Sequence, residues 1–193
     1  ISPIENIPNI ELGVPVAINI DNGIGAMALA QIAGASAEEI RNAMLSFGGV
    51  DRRFDFHVRR DDMVYISDYA HHPEEIRQSI LSIKQLYEGK RIKAIFQPHL
   101  YSRTNDFYKE FADALSLLDN VVILDIYPAR EEPIPGVTSE LIYNNLKNGV
   151  QKHLCHKEEI IQHVITKDFD VLVTLGAGDI ENYADIITDI LKG

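Results

Sequence analysis

Two short apolar runs, Val121–Ile126 and Val171–Leu175, constrain this chain more than any other feature. Neither alternates in polarity, so neither suits a strand with one wet face. Near-continuous apolar character is what a strand shows when helices cover both sides of its sheet. Around these runs, strand-like and helix-like segments take turns. Met63–Ile66 and Ile92–Phe96 read as further strands, and a short one is expected near His153–Cys155. Ile76, Ile80, Ile83 and Tyr87 recur on one helical face; Phe107, Phe111, Ala114, Leu115 and Leu118 recur on another, within a helix expected over 102–118. Further helices are expected from Thr138 or Ser139 to about Lys147, over 157–165 and over 180–191. The pattern predicts an α/β fold, a mostly parallel sheet with helices on both faces and right-handed crossovers. Phe54, Phe56 and Val58 alternate before a polar turn at Arg60-Asp61-Asp62, which adds a β-hairpin at the sheet edge.

The front of the chain reads differently. A small-residue helix is expected from Asn19 to Ala33, ended by Gly34. Ser36 then opens a second helix, and Glu39 three residues later completes a capping box. Two helices bury little by themselves, so residues 1–48 read as the tail of a preceding domain and residues 49–193 as a domain of their own. The abrupt beginning without an initiator Met reads as a piece of a longer chain.

The formal net charge of -11 argues against a general nucleic-acid surface, although a local cluster of cations can still hold an anion. No apolar run approaches the roughly 20 residues that span a bilayer, and no signal peptide is visible. With Cys155 as the single cysteine, no intrachain disulfide can form, and a soluble protein of a reducing, cytoplasmic compartment is expected. His153, Cys155 and His156 are irregularly spaced and too few for a zinc site, and nothing around Cys155 resembles an activated thiol.

The chemistry collects where strands meet helices. Ser67-Asp68-Tyr69-Ala70-His71-His72-Pro73 joins a strand to a helix, with Pro73 suited to the first helical position and His72 to the N-cap. Gln97, Pro98, His99, Tyr101 and Arg103 follow the next strand, Tyr127 to Glu132 another, and Gly176 to Asp179 the last. In a parallel sheet these loops share the rim at which α/β proteins bind ligands. Arg52 and Arg53 stand just before the hairpin and are matched to phosphate or carboxylate, unless Asp51 and Asp55 pair with them on the surface. His71, His72 and His99 make a poor metal site, because adjacent histidines seldom point at one ion, and no metal ligand is expected. Gly176-Ala177-Gly178 lacks the third glycine of a dinucleotide fingerprint and precedes the final helix instead of the first. The residues alone support an anion-handling α/β domain of unstated reaction.

Taken in order, Gly49-Val50-Asp51-Arg52-Arg53-Phe54, Asp68-Tyr69-Ala70-His71-His72-Pro73, Phe96-Gln97-Pro98-His99-Leu100-Tyr101-Ser102-Arg103-Thr104, Tyr127-Pro128-Ala129, Glu132-Pro133-Ile134-Pro135-Gly136 and Gly176-Ala177-Gly178-Asp179-Ile180 resemble the C-terminal third of the Mur ligases, nearest to the members that add L-alanine. The resemblance implies a Rossmann-like C-terminal domain that brings the amino acid, preceded by the end of a central ATPase domain. It implies ATP-dependent amide formation between UDP-N-acetylmuramate and L-alanine through an acyl phosphate, in peptidoglycan synthesis, with Mg2+ held mainly by the central domain. The phosphate-binding loop of that domain is absent from this chain, so the fragment alone is expected to be inactive. Residue by residue, it implies that Asn19, Asn22, Arg53 and Asp68 reach ATP, that Tyr69, His99 and Arg103 surround the substrate, and that Asp68, His71 and Arg103 are catalytic. Leu100 stands where the family has Arg, and Arg130 where it often has Gly, which makes Arg130 a candidate for the displaced charge. The alternatives are the recycling ligase that attaches a preformed tripeptide, and a non-catalytic nucleotide- or anion-binding module; the oligomer is left open between monomer and homodimer.

Overall fold

The computed structural model describes residues 7–12 and 17–193, which fall into two compact units, 1–50 and 51–193. The first holds α1 (Ala17–Ile32) and α2 (Ala37–Ser46). Ser36 caps α2 through the expected box: its Oγ accepts from the Glu39 N–H, and the Glu39 carboxylate accepts from the Ser36 N–H at 2.8 Å. The helices meet where α1 has no side chain, since a Cβ on Gly23 would stand 2.6 Å from the Met44 methyl. Residues 1–6 and 13–16 lie outside the described residues, so the tail expected over 1–48 is described by these helices.

The second unit is one six-stranded sheet. Its strands are β1 (Asp55–Arg59), β2 (Val64–Asp68), β3 (Ile92–Phe96), β4 (Asn120–Leu124), β5 (Gln151–Cys155) and β6 (Val171–Leu175), in the order β1-β2-β6-β3-β4-β5. Every pairing is parallel except β1 with β2, the expected edge hairpin. The alternation read through Phe54 breaks down there: Phe54 lies outside the strand at φ 51°, and the register slips between Phe56 and Val58. An extra residue at such a bulge twists the edge away from further pairing.

Helices α3 (Pro73–Leu86), α4 (Tyr101–Leu115) and α5 (Glu140–Asn145) pack in sequence against one another, and α6 (Ile160–Ile165) packs on α7 (Ala184–Lys192). Three successive crossovers run one way across the sheet and the fourth returns, so right-handed connections place α6 and α7 on the other face. Ile95, Val122 and Leu172 from the sheet, Ile160 and Val164 from α6 and Ile187 and Leu191 from α7 form the core there. Four helices are shorter than expected, and α4 ends at Leu115 instead of Leu118. Instead of extending from Thr138 or Ser139 to Lys147, α5 stops at Asn145, because Leu146 is extended and the Lys147 N–H donates to the Ser116 hydroxyl at 3.0 Å. The segments before α6 and α7, Lys157–Glu159 and Asp179–Tyr183, are 3-10 turns.

Cys155 ends β5 inside this core, where burial, reinforced by Glu159 and Asp125, pushes its thiol up to about 12. A thiol without thiolate is a poor nucleophile. Iodoacetamide at mildly alkaline pH is therefore expected to spare native Cys155 and to label it fully in denaturant; rapid native labelling by mass spectrometry would contradict this burial.

Candidate functional site

At the carboxyl end of β2 the chain runs directly into α3. Pro73 fills the first helical turn, His72 is the N-cap, and the Glu75 carboxylate accepts from the N–H groups of His71 at 3.0 Å and His72 at 3.1 Å. Burial works against that charge, yet those two N–H groups and the nearby imidazoles hold Glu75 below its ordinary value. The helix's positive end is thus occupied by its own side chain.

Asp68 shows only part of itself to solvent and accepts from the Ala70 N–H at 3.1 Å. Burial of its carboxyl raises its pKa, Glu75 adds to the rise, and the Ala70 bond opposes it. Tyr69 turns outward beneath both arginines, whose guanidinium carbons lie 4.8 Å (Arg52) and 5.9 Å (Arg53) from its ring centre. Such stacking gives a cation a fixed place without neutralising it. Arg52 also pairs with Glu181. The surface pairing expected with Asp55 is made by the Arg52 backbone N–H, at 3.5 Å, and not by its guanidinium. Arg53 is exposed.

Across β6, the β3–α4 junction supplies the second half. Leu100 precedes α4 at φ 73°, a left-handed conformation that a branched side chain adopts only under constraint. The constraint is visible: Leu100 N–H donates to the Tyr127 carbonyl at 2.9 Å, and Tyr127 N–H donates to the Pro98 carbonyl at 2.8 Å. That turn delivers His99 and Arg103 to the rim. Arg103 donates to His99 Nδ1 at 3.3 Å, and the Tyr127 ring stacks on His99 with centres 5.7 Å apart. Burial, then Arg103 and His71, push the His99 imidazole below its ordinary value. The two halves meet at the histidines, whose ring centres are 6.0 Å apart.

The structure thus brings Asp68, Tyr69, His71, His99 and Arg103 to one rim. Asn19 and Asn22 lie three residues apart on α1 in the other unit, Asn22 exposed. Arg130 sits exposed in the turn after Tyr127. His72 meets Phe107 edge to face, with ring centres 5.2 Å apart, instead of joining the other histidines.

Sequence reasoning missed the supports. Glu131 accepts from both the N–H and the hydroxyl of Ser102, closing the front of α4 beside Arg103. Gln97, 3% exposed, donates to Asp179 at 2.7 Å and accepts from the Ile180 N–H at 3.0 Å, while Lys157 holds the other Asp179 oxygen. No local signal announces such partners, which stand 22 to 83 positions apart. Among the described residues no three His, Cys, Asp or Glu side chains cluster as metal ligands would, and no helix is long and apolar enough to cross a membrane.

The family described as "Mur ligase, glutamate ligase domain" matches residues 52–178. A UDP-N-acetylmuramate–L-alanine ligase of Phocaeicola vulgatus is 62% identical over 192 residues, covering 100% of this chain and 42% of that protein. Among solved structures, the UDP-N-acetylmuramate–alanine ligase of Thermotoga maritima superposes with a TM-score of 0.78 at 29% identity, over 95% of this chain and 40% of the other. A murein peptide ligase of Psychrobacter arcticus gives 0.65 at 22% identity, over 94% and 38%, a likeness of fold. The chain therefore spans about two-fifths of the length of the curated relatives it matches.

Proposed function

The chain belongs to the Mur ligase family, and from that premise we propose that it is the amino-acid-binding part of an ATP-dependent ligase that joins L-alanine to UDP-N-acetylmuramate. Residues 1–48 are then the end of the central ATPase domain and residues 49–193 the C-terminal domain. The single observation that carries the reading is the convergence of Asp68, Tyr69 and His71 with His99 and Arg103 at one rim.

In the reaction proposed for the intact enzyme, the muramoyl carboxylate takes the γ-phosphoryl group of ATP to become an acyl phosphate. The alanine amine then displaces phosphate to form the amide. Arg103, whose guanidinium contacts the uncharged ring nitrogen of His99, keeps hydrogens for a substrate carboxylate, and a fork held in place orients the amino acid at little entropic cost. Arg53, exposed beside Tyr69, suits the nucleotide phosphates, as Arg130 suits a substrate anion in place of the charge that Leu100 lacks. Asp68, Asn19 and Asn22 are assigned to ATP. Mg2+ would screen the phosphates, but the described residues offer it no ligand set, so no step here runs through it.

The test is ADP release by the full-length protein. Turnover is expected to require both UDP-N-acetylmuramate and L-alanine, and Arg103→Ala is expected to raise the KM for L-alanine by 10-fold or more, on the order of the 1.5–3 kcal/mol of a charged hydrogen bond. Turnover only with a preformed murein tripeptide would replace this reading by the recycling ligase. No turnover with either would leave a binding module.

A further inference from the structure

We propose that His71 is the base that removes the proton from the incoming amino acid's ammonium group, with His99 as a neutral hydrogen-bond donor opposite it; the proposal rests on the ligase function above. The ring nitrogens are assigned by their neighbours. His71 Nδ1 lies 2.9 Å from the Tyr69 carbonyl oxygen, which can only accept, so that nitrogen carries the hydrogen. Glu75, 3.4 Å from the same nitrogen, demands the same. A neutral His71 therefore has a bare Nε2. At His99 the logic reverses. Arg103 has only hydrogens to offer, so the Nδ1 it faces at 3.3 Å is bare and Nε2 carries the hydrogen. Two imidazoles 6.0 Å apart are thus held in opposite tautomers, one presenting a lone pair and the other an N–H.

An amino acid arrives as an ammonium, which has no lone pair and cannot attack an acyl phosphate. One carbon separates that nitrogen from its carboxylate, so a carboxylate held by Arg103 leaves the ammonium at the same rim. An N–H proton passes to His71 Nε2, giving an imidazolium whose Nδ1–H stays on the Tyr69 carbonyl. The freed lone pair forms the N–C bond, the C–O bond to phosphate breaks, and phosphate leaves with that electron pair and takes up the second proton shed by the bonded nitrogen, so that a neutral amide remains. His99 Nε2–H is available to the oxygen that gains charge in between. The titratable and charged groups facing His71 are Glu75 on α3, Tyr69 on the preceding loop, and His99 with Arg103 behind it.

The experiment uses full-length protein carrying His71→Asn. The amide NH2 replaces Nδ1–H toward Tyr69, and nothing replaces Nε2. With L-alanine, kcat is expected to fall by about 10²- to 10⁴-fold, the usual span for a lost general base, and the acidic limb of the kcat/KM profile for L-alanine is expected to vanish. Hydroxylamine, an amine already unprotonated near neutral pH, is expected to form the hydroxamate with a loss of only a few-fold. Equal losses with both nucleophiles, or a retained acidic limb, overturn the assignment. A wild-type protein that releases no ADP with these substrates removes the ligase reading and this inference together, whereas a working wild type with an unchanged variant profile removes this inference alone.

Discussion

Full-length protein carrying Gly178→Ala is expected to lose L-alanine-dependent turnover by about 10²-fold, the scale set by misplacing a catalytic group by an ångström. Gly178 has an ordinary backbone, φ -89°, so the effect measures one added methyl group and nothing else. That methyl would stand 2.3 Å from Gln97 Oε1 and 2.8 Å from both Cβ and Cγ of Tyr127. Neither neighbour has room to retreat. Gln97 is tied at both ends to Asp179 and Ile180, and Tyr127 is tied through its backbone to Pro98 and Leu100 and through its ring to His99. The clash therefore travels one residue further, into the His99–Arg103 pair. Overpacking of this kind also costs about 1–3 kcal/mol of stability. Gly25→Ala, where nothing lies within 4 Å, is the control and should leave both properties nearly unchanged. Near-normal kcat/KM and melting temperature for Gly178→Ala would show that Tyr127 is not held as described.

The second large effect lies in β3, the strand that leads into Gln97. Lys93→Ala is expected to destabilise the protein by about 2–3 kcal/mol, below the full value for a broken buried pair because one partner is partly wet, and so to lower the melting temperature by roughly 4–12 °C. Lys93 is 2% exposed within β3. Its ammonium donates to the His163 carbonyl and to Asp168, each at 2.8 Å, and lies 5.5 Å from the Phe169 ring centre. It thus serves the last turn of α6, where carbonyls lack helical partners and a cation is favoured. Lys93→Met keeps most of the volume, and the one Thr166 hydroxyl hydrogen still reaches either the His163 carbonyl or the partly exposed Asp168 carboxylate, so the expected loss is nearer 1 kcal/mol. The pair also has a pH signature. Burial raises the Asp168 carboxyl, but bonds from Lys93 and Thr166 outweigh that and leave it lowered. A group lowered on folding stabilises above its unfolded value, and the stabilisation disappears as pH falls through the folded one. Acid should therefore erode wild-type stability more steeply than that of Lys93→Met; parallel acid limbs in calorimetry would refute the coupling.

What could be read from the chain beforehand was the part carried by neighbours in sequence. The Ser36–Glu39 box, Pro73 at the head of α3 and the near-continuous apolar runs of β4 and β6 are local statements, and each predicts its element. The parallel sheet and the shared rim follow from them. Other features are agreements between distant segments. Lys93 reads as a solvent charge interrupting Ile92–Phe96 until α6 brings a carbonyl to it. Glu131 reads as a loop residue until it meets Ser102, and Arg52 reads as a partner for nearby aspartates until Glu181 arrives. The end of α5 reads too far along for the same reason: the Lys147 N–H has a hydroxyl waiting at Ser116, 31 positions away, and that bond competes with helix. Of the candidate site, Asp68, Tyr69, His71, His99 and Arg103 were named from motif resemblance, whereas the tautomers that distinguish the two histidines follow only from the Tyr69 carbonyl and the Arg103 guanidinium.

The place of β6 in the sheet has a consequence for how the molecule is made. Its residues, 171–175, come last among the strands, yet they lie between β2 and β3. Until they insert, the loop bearing Asp68 and His71 and the loop bearing His99 and Arg103 have no common strand to align them. Synthesis from the amino end therefore leaves two separate half-sheets with exposed parallel edges, and such long-range closure is slow. Every residue of the rim would have emerged from the ribosome before the rim itself existed.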